Sequence, residues 1–203
     1  MLISPNHRRF LAVVTLLSAS NAMSQDISFD YVQVTYTFAT VDLGASVDEI
    51  EGNGIGLSLS LSFNPAFALT LSVLDTTFEA FQGLNADTSK ATTLGVTSHI
   101  PTASGSELFA NLSALKAEIT VTDDSGATGD NDYGYTASIG VRHFVTDTVE
   151  LEFGVSHAYV FDHADNSFKA DARLYIRKRL SLGIGYIAGD NVDSFSLNLR
   201  LDV

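Results

Sequence analysis

Large apolar and very small residues alternate strictly from Gly54 to Phe63. Ile55, Leu57, Leu59, Leu61 and Phe63 are separated by Gly54, Gly56, Ser58, Ser60 and Ser62. Side chains on a strand point to opposite faces with period 2, so this segment predicts a strand with one greasy face and one face of minimal volume. In a water-soluble antiparallel sheet the outer face carries long polar side chains and the apolar face rests on a core. Bulky outward residues and tiny inward ones are what a narrow β-barrel surrounded by lipid needs instead.

The same period continues along the chain and predicts ten strands, at 28–39, 53–63, 66–78, 91–100, 107–119, 133–144, 148–160, 167–177, 180–188 and 194–203. Their lengths match the roughly 9–11 residues of a tilted membrane-spanning strand. Outward faces follow from the phase: Val32, Val34, Tyr36 and Phe38; Phe67, Leu69, Leu71 and Val73; Tyr133, Tyr135, Ala137, Ile139 and Val141. Later come Val149, Leu151, Phe153 and Val155; Leu180, Leu182, Ile184 and Tyr186; and Phe195, Leu197, Leu199, Leu201 and Val203. Tyr and Phe collect near the ends of these runs, as an interfacial girdle would. Between Leu108 and Ile119 the apolar residues change phase near Ala114, which predicts a strand with a bulge or irregularity.

Connectors alternate in kind. Asn64-Pro65, Pro101 to Ser106, Val145 to Asp147 and Lys178-Arg179 are short. Thr40 to Gly52, Glu79 to Lys90, Thr120 to Asp132, Phe161 to Asn166 and Gly189 to Asp193 are longer and polar. Membrane barrels have this asymmetry, with short turns at one end and longer loops at the other. The fold expected is therefore all-β: a transmembrane antiparallel up-and-down barrel of about ten strands, with eight as the alternative.

Composition narrows the class further. With 203 residues and 45% hydrophobic content the chain suits one domain and not a bundle of membrane helices. His7, Arg8 and Arg9 precede an apolar run from Phe10 to Leu17 and a small-x-small site at Ser20-Asn21-Ala22, the layout of a secretion signal over 1–22. The barrel domain then covers 23–203. The net charge of −13 becomes −15 without that leader, which holds two Arg and no acid; such acidity argues against nucleic acid as a partner. No cysteine is present, so no disulfide frames the fold.

A leader, then Phe29-Asp30-Tyr31-Val32, an acidic loop, and Gly52-Asn53-Gly54-Ile55-Gly56 opening an alternating strand together resemble the small outer-membrane β-barrel proteins of Gram-negative bacteria, the porin-family and outer-membrane-protein-A-like barrel domains. The resemblance implies an outer-membrane location with both termini in the periplasm, contact with outer-membrane lipid and lipopolysaccharide, and insertion by the barrel assembly machinery. Members of such families include anchors, adhesins and narrow pores. Many end in an aromatic residue, whereas this chain ends Leu201-Asp202-Val203. No signal for an oligomeric state stands out.

Phasing the later strands places a set of charges inward: Arg142, Glu150, Glu152, Lys169, Asp171, Arg173, Arg177 and Arg200. An Arg or Lys facing lipid at mid-depth costs about 2–4 kcal/mol, which favours the lumen. Paired across a narrow interior, these groups form a structural plug; the alternative is a constriction that sets ion passage. Acidic residues in the long connectors, such as Asp123, Asp124, Asp130 and Asp132, lack calcium-loop spacing and read as solvated, so neither a metal nor a cofactor is expected. Catalysis is not expected either. Ser98-His99 and Ser156-His157 are strand neighbours on opposite faces, and His163 sits among acids in a predicted loop, the most plausible place for a hydrolase site.

Overall fold

A computed structural model describes residues 27–41, 50–79, 86–102, 105–123 and 126–203. The expected leader, residues 42–49 of the first long connector and residues 80–85 of the second lie outside the described residues. Ten strands are present among them: β1 (Tyr31–Val41), β2 (Ile50–Asn64), β3 (Phe67–Phe78), β4 (Ala86–Pro101), β5 (Ser106–Asp123), β6 (Gly126–Thr146), β7 (Val149–Val160), β8 (His163–Arg177), β9 (Leu180–Gly189) and β10 (Val192–Asp202). Each pairs antiparallel with its sequence neighbours, and β1 pairs with β10 from Tyr31↔Asp202 to Val41↔Val192, closing the barrel. Closure leaves no strand edge in lipid, which is why ten strands are found and not an open sheet.

The inside-out polarity follows the phase predicted from the sequence. Ile55, Leu57, Leu61 and Phe63 are exposed on the outer wall, while Gly52, Gly54, Gly56 and Ser60 are buried inside. Several boundaries differ from the expectation. Residues 120–123 and 126–132 form the paired ends of β5 and β6, with Asp123 opposite Gly126, because Thr120, Val121 and Thr122 are good strand formers and a hairpin already rooted in a sheet continues pairing into water. Phe161 and Asp162, with φ of 52° and 58°, make a two-residue turn of the primed type, and His163 opens β8 instead of lying in a loop. The backbone N–H of Phe161 donates to Asp132 Oδ2 at 2.6 Å, which anchors that turn to β6.

No irregularity interrupts β5, whose pairing with β4 and β6 keeps one register throughout. The change of phase is nonetheless real. Up to Ala114 the outward residues are Leu108, Ala110 and Leu112; above it Lys116 and Glu118 point outward and pair at 2.7 Å, while Leu115 and Ala117 turn inward and are buried. On β3, outward Leu69 and Leu71 give way in the same manner to Asp75, and Asp75 sits opposite Lys90, which sits opposite Glu118. The strands leave the apolar band here, so the lipid-facing rule ends although the strand does not. Register shifts occur instead at Ser62/Asn64, Phe144/Thr146 and Tyr175/Arg177, all beside short turns.

Residues 27–30 are not part of β1. They cross the short-turn end of the lumen, where Ile27 and Phe29 are buried against Ala68, Phe144 and Tyr175. The Phe29 ring stacks on His99 at 3.9 Å.

Candidate lumen charge cluster

Antiparallel register brings the predicted charges together. Glu150 lies opposite Phe144 on one side and Arg173 on the other, and Glu152 lies between Arg142 and Asp171. Arg142 reaches Glu150 with two parallel hydrogen bonds, Nε to Oε1 at 2.9 Å and Nη2 to Oε2 at 3.0 Å. Arg173 Nη1 pairs with the same Oε1, and the Tyr175 hydroxyl donates to Oε2 at 3.1 Å. Glu150 has 0% exposure and Arg142 2%, so these are fully desolvated charges, tolerable only because each is paired and hydrogen-bonded.

A second group sits above the first. Lys169 Nζ bridges Glu152 Oε1 at 2.9 Å and Asp171 Oδ2 at 3.0 Å, with its own side chain partly exposed to the lumen space. A third pair, Arg200 Nε to Asp202 Oδ1 at 2.6 Å, lies on β10. The acids Glu150, Glu152, Asp171 and Asp202 thus balance Arg142, Lys169, Arg173 and Arg200.

Of the eight charges expected in the lumen, Arg177 is not brought in. It has the inward phase, but the register shift after Tyr175 and its position at the end of β8 leave it exposed at the turn, away from the paired charges. Asp202 and Tyr175 belong to the cluster and escaped the sequence reading. The period itself points to both, since Asp202 follows Arg200 and Tyr175 follows Arg173 by two residues on one face.

The main chain of the crossing segment completes the network. Ser28 O accepts from Arg142 Nη1 at 2.8 Å and from Arg200 Nη2 at 2.5 Å. Arg142 also stands over the Phe29 ring at 4.8 Å and Arg200 over the Tyr31 ring at 3.9 Å, both cation–π distances. Nothing in the local sequence marks Ser28 for this role.

Above this floor is a cavity of about 310 Å³ walled by small hydroxyl and amide side chains. Asn111 Nδ2 donates to Thr97 Oγ1 at 2.9 Å and Thr70 Oγ1 at 3.2 Å, and Ser72 and Thr93 share a bond of 2.6 Å, so the wall is itself a hydrogen-bonded lattice. Ser60, Ala68 and Ser181, all nearly or fully buried, supply the small inward volume at plug level. The glycines of β2 serve closer neighbours: a Cβ on Gly52 would lie 2.5 Å from the Phe78 ring, and one on Gly54 2.6 Å from Asp75 O.

The histidines confirm the opposite-face geometry of their strand neighbours. His99 is buried inside, 3.7 Å from Glu107, whereas Ser98 faces outward; Ser156 bonds Ser167 within the wall, whereas His157 faces outward. One Ser–His contact does form between strands, Ser106 Oγ to His143 Nδ1 at 2.8 Å, where the two residues are register partners. Both are buried, so the pair ties two turns together without access for a substrate.

A closed, lipid-facing barrel with a charged interior defines an integral outer-membrane protein. Residues 10–197 match the model of the outer membrane protein β-barrel domain family, and the chain belongs to that family. Among solved structures, Neisserial surface protein A superposes with a TM-score of 0.51 at 15% identity, over 87% of this chain and 98% of that one. The translocator domain of the autotransporter NalP from Neisseria meningitidis matches with a TM-score of 0.50 at 11% identity, over 96% and 93%. The transport unit of the autotransporter AIDA-I from Escherichia coli gives 0.50 at 13% identity, over the whole of both chains. At these identities the likeness is one of fold. No curated protein matches the chain by sequence.

Proposed function

We propose that this protein is a closed outer-membrane barrel with a structural or surface-interaction role, its lumen plugged by paired charges, and that it is not an enzyme. The observation that carries the reading is the buried Arg142–Glu150–Arg173 group clamped onto the Ser28 carbonyl, with Phe29, Phe144 and Tyr175 packed alongside it. Charges that satisfy one another and a main-chain oxygen leave little free field to attract a passing ion. The end with short turns, where Tyr31 pairs with Asp202, is proposed to face the periplasm, and the taller β4–β6 wall the exterior.

A narrow passive pore is the competing reading, and the polar cavity above the plug favours it. Planar-bilayer recordings separate the two. The plugged barrel shows no conductance steps, and Arg142→Ala or Arg173→Ala introduces them. Regular steps from the unaltered protein would establish the pore instead. A hydrolase at His163, at the first residue of β8, requires lipid or ester hydrolysis that His163→Ala abolishes.

A further inference from the structure

The outer wall carries a polar relay that the plug does not use. His157 on β7 faces outward between Val155 and Tyr159, and its Nδ1 lies 2.9 Å from Asn166 Oδ1 on β8. Asn166 Nδ2 in turn lies 3.0 Å from Asp190 Oδ2 in the turn between β9 and β10, and the Asn166 main-chain N–H donates to the same oxygen at 3.0 Å.

The hydrogen-bond roles in this relay are forced. An ionised carboxylate only accepts, so the Asn166 atom facing Asp190 is the NH2 group and the atom facing His157 is the carbonyl oxygen. A carbonyl only accepts, so His157 Nδ1 carries the proton. In the neutral ring Nε2 is then a lone-pair acceptor, and no protein group among the described residues hydrogen-bonds it.

Beside this acceptor is a cavity of about 670 Å³ open to the outside of the barrel. Its wall follows one register row, Ala110, Ile139, Val155, Phe168 and Ala188, with Ala137 next to His157 in the row above. The alanines make the hollow and Ile139 and Val155 belong to the exposed apolar belt. Tyr135, whose ring is 5.9 Å from that of His157, and Tyr159 mark the head-group level.

We infer that this hollow binds a single bilayer lipid, its acyl chain against the Ala110–Ala188 row and a head-group hydroxyl donating to His157 Nε2. The occupant is a lipid because the hollow opens within the apolar belt, where acyl chains are the solvent, and because the imidazole acceptor at its rim matches a hydroxyl donor.

The test uses the full folded chain in nanodiscs holding equal amounts of phosphatidylglycerol and phosphatidylmethanol with identical chains, which share a charge and differ in head-group hydroxyls. Native mass spectrometry of the released protein is expected to show phosphatidylglycerol retained about 2–10-fold over phosphatidylmethanol, the worth of one net hydrogen bond. His157→Phe removes the preference and keeps the chain contact; Ala137→Leu fills the hollow and reduces retention of both lipids. Heat-modifiable gel mobility establishes that each variant is folded. If either fails to fold, the 15N signal of His157 Nε2 in the unaltered protein still decides, since it shifts when phosphatidylglycerol replaces phosphatidylmethanol. Equal retention by the unaltered protein, an unchanged preference in His157→Phe, an unmoved Nε2 signal, or a dimer mass in place of bound lipid would overturn the inference. None of these readouts depends on whether the lumen conducts.

Discussion

Arg142 and Arg200, on strands β6 and β10, donate to one and the same carbonyl oxygen, that of Ser28. Two guanidinium groups on opposite parts of the wall are thereby tied to a segment of four residues that crosses the barrel end. The positive charges that the acids hold in place also hold the crossing segment.

Removing the aromatic wedge from that segment should loosen it without unfolding the barrel. Phe29→Ala loses the His99 stack and the Arg142 contact, a loss of about 3 kcal/mol for a buried Phe. Conductance steps absent from the unaltered protein are expected to appear, while strand content by circular dichroism stays the same.

Glu150→Ala should be the most damaging single change in the lumen. It leaves Arg142 and Arg173 buried and unpaired and deprives Tyr175 of its acceptor, with an expected cost of about 3–5 kcal/mol. Arg177→Ala, at the exposed end of β8, should change stability by no more than about 0.5 kcal/mol. Urea unfolding in detergent micelles, followed by heat-modifiable mobility, compares the two directly.

The edge of the apolar band on β5 should fall between Leu112 and Lys116. A fluorophore at Leu112, 64% exposed on the outer wall, should be quenched by brominated acyl chains, and one at Lys116 by a water-soluble quencher. Leu112→Arg, close to that edge, is expected to cost no more than about 1 kcal/mol, as is Lys116→Leu.

The relay to Asp190 should respond to acid in one direction. Two hydrogen bonds from Asn166, the main-chain one first, hold the Asp190 carboxyl below its ordinary value of 3.8. A group whose folded value is depressed contributes stability above its unfolded value and loses it as the pH falls through the folded one. Protection of the Asn166 amide against hydrogen exchange, corrected for intrinsic rates, should therefore be level above about pH 5 and fall only below pH 3.8. Asp190→Asn should lower that protection at neutral pH and remove the acid dependence.

The sequence by itself determined which face each residue occupies. Alternation with period 2 is a property of the local backbone, so the outward leucines, the inward Gly and Ser of β2, and the inward phase of Arg142, Glu150, Lys169 and Arg173 could all be read without a partner strand. Ten strands were legible for the same reason, and the need to close the ring in lipid excluded an odd or open arrangement.

Depth and partnership were decided only by the tertiary structure. Whether Leu115 turns inward beside Lys116 because of a bulge or because the membrane ends depends on the height of β5 against its neighbours, which no local pattern carries. Ser28, Asp202 and Tyr175 join the cluster, and Arg177 leaves it, through cross-strand register and three register shifts at the turns. The His157–Asn166–Asp190 relay likewise exists only where three strands lie side by side. A face is set by one residue's own dihedral angles, whereas a contact is set by the closure of the whole ring.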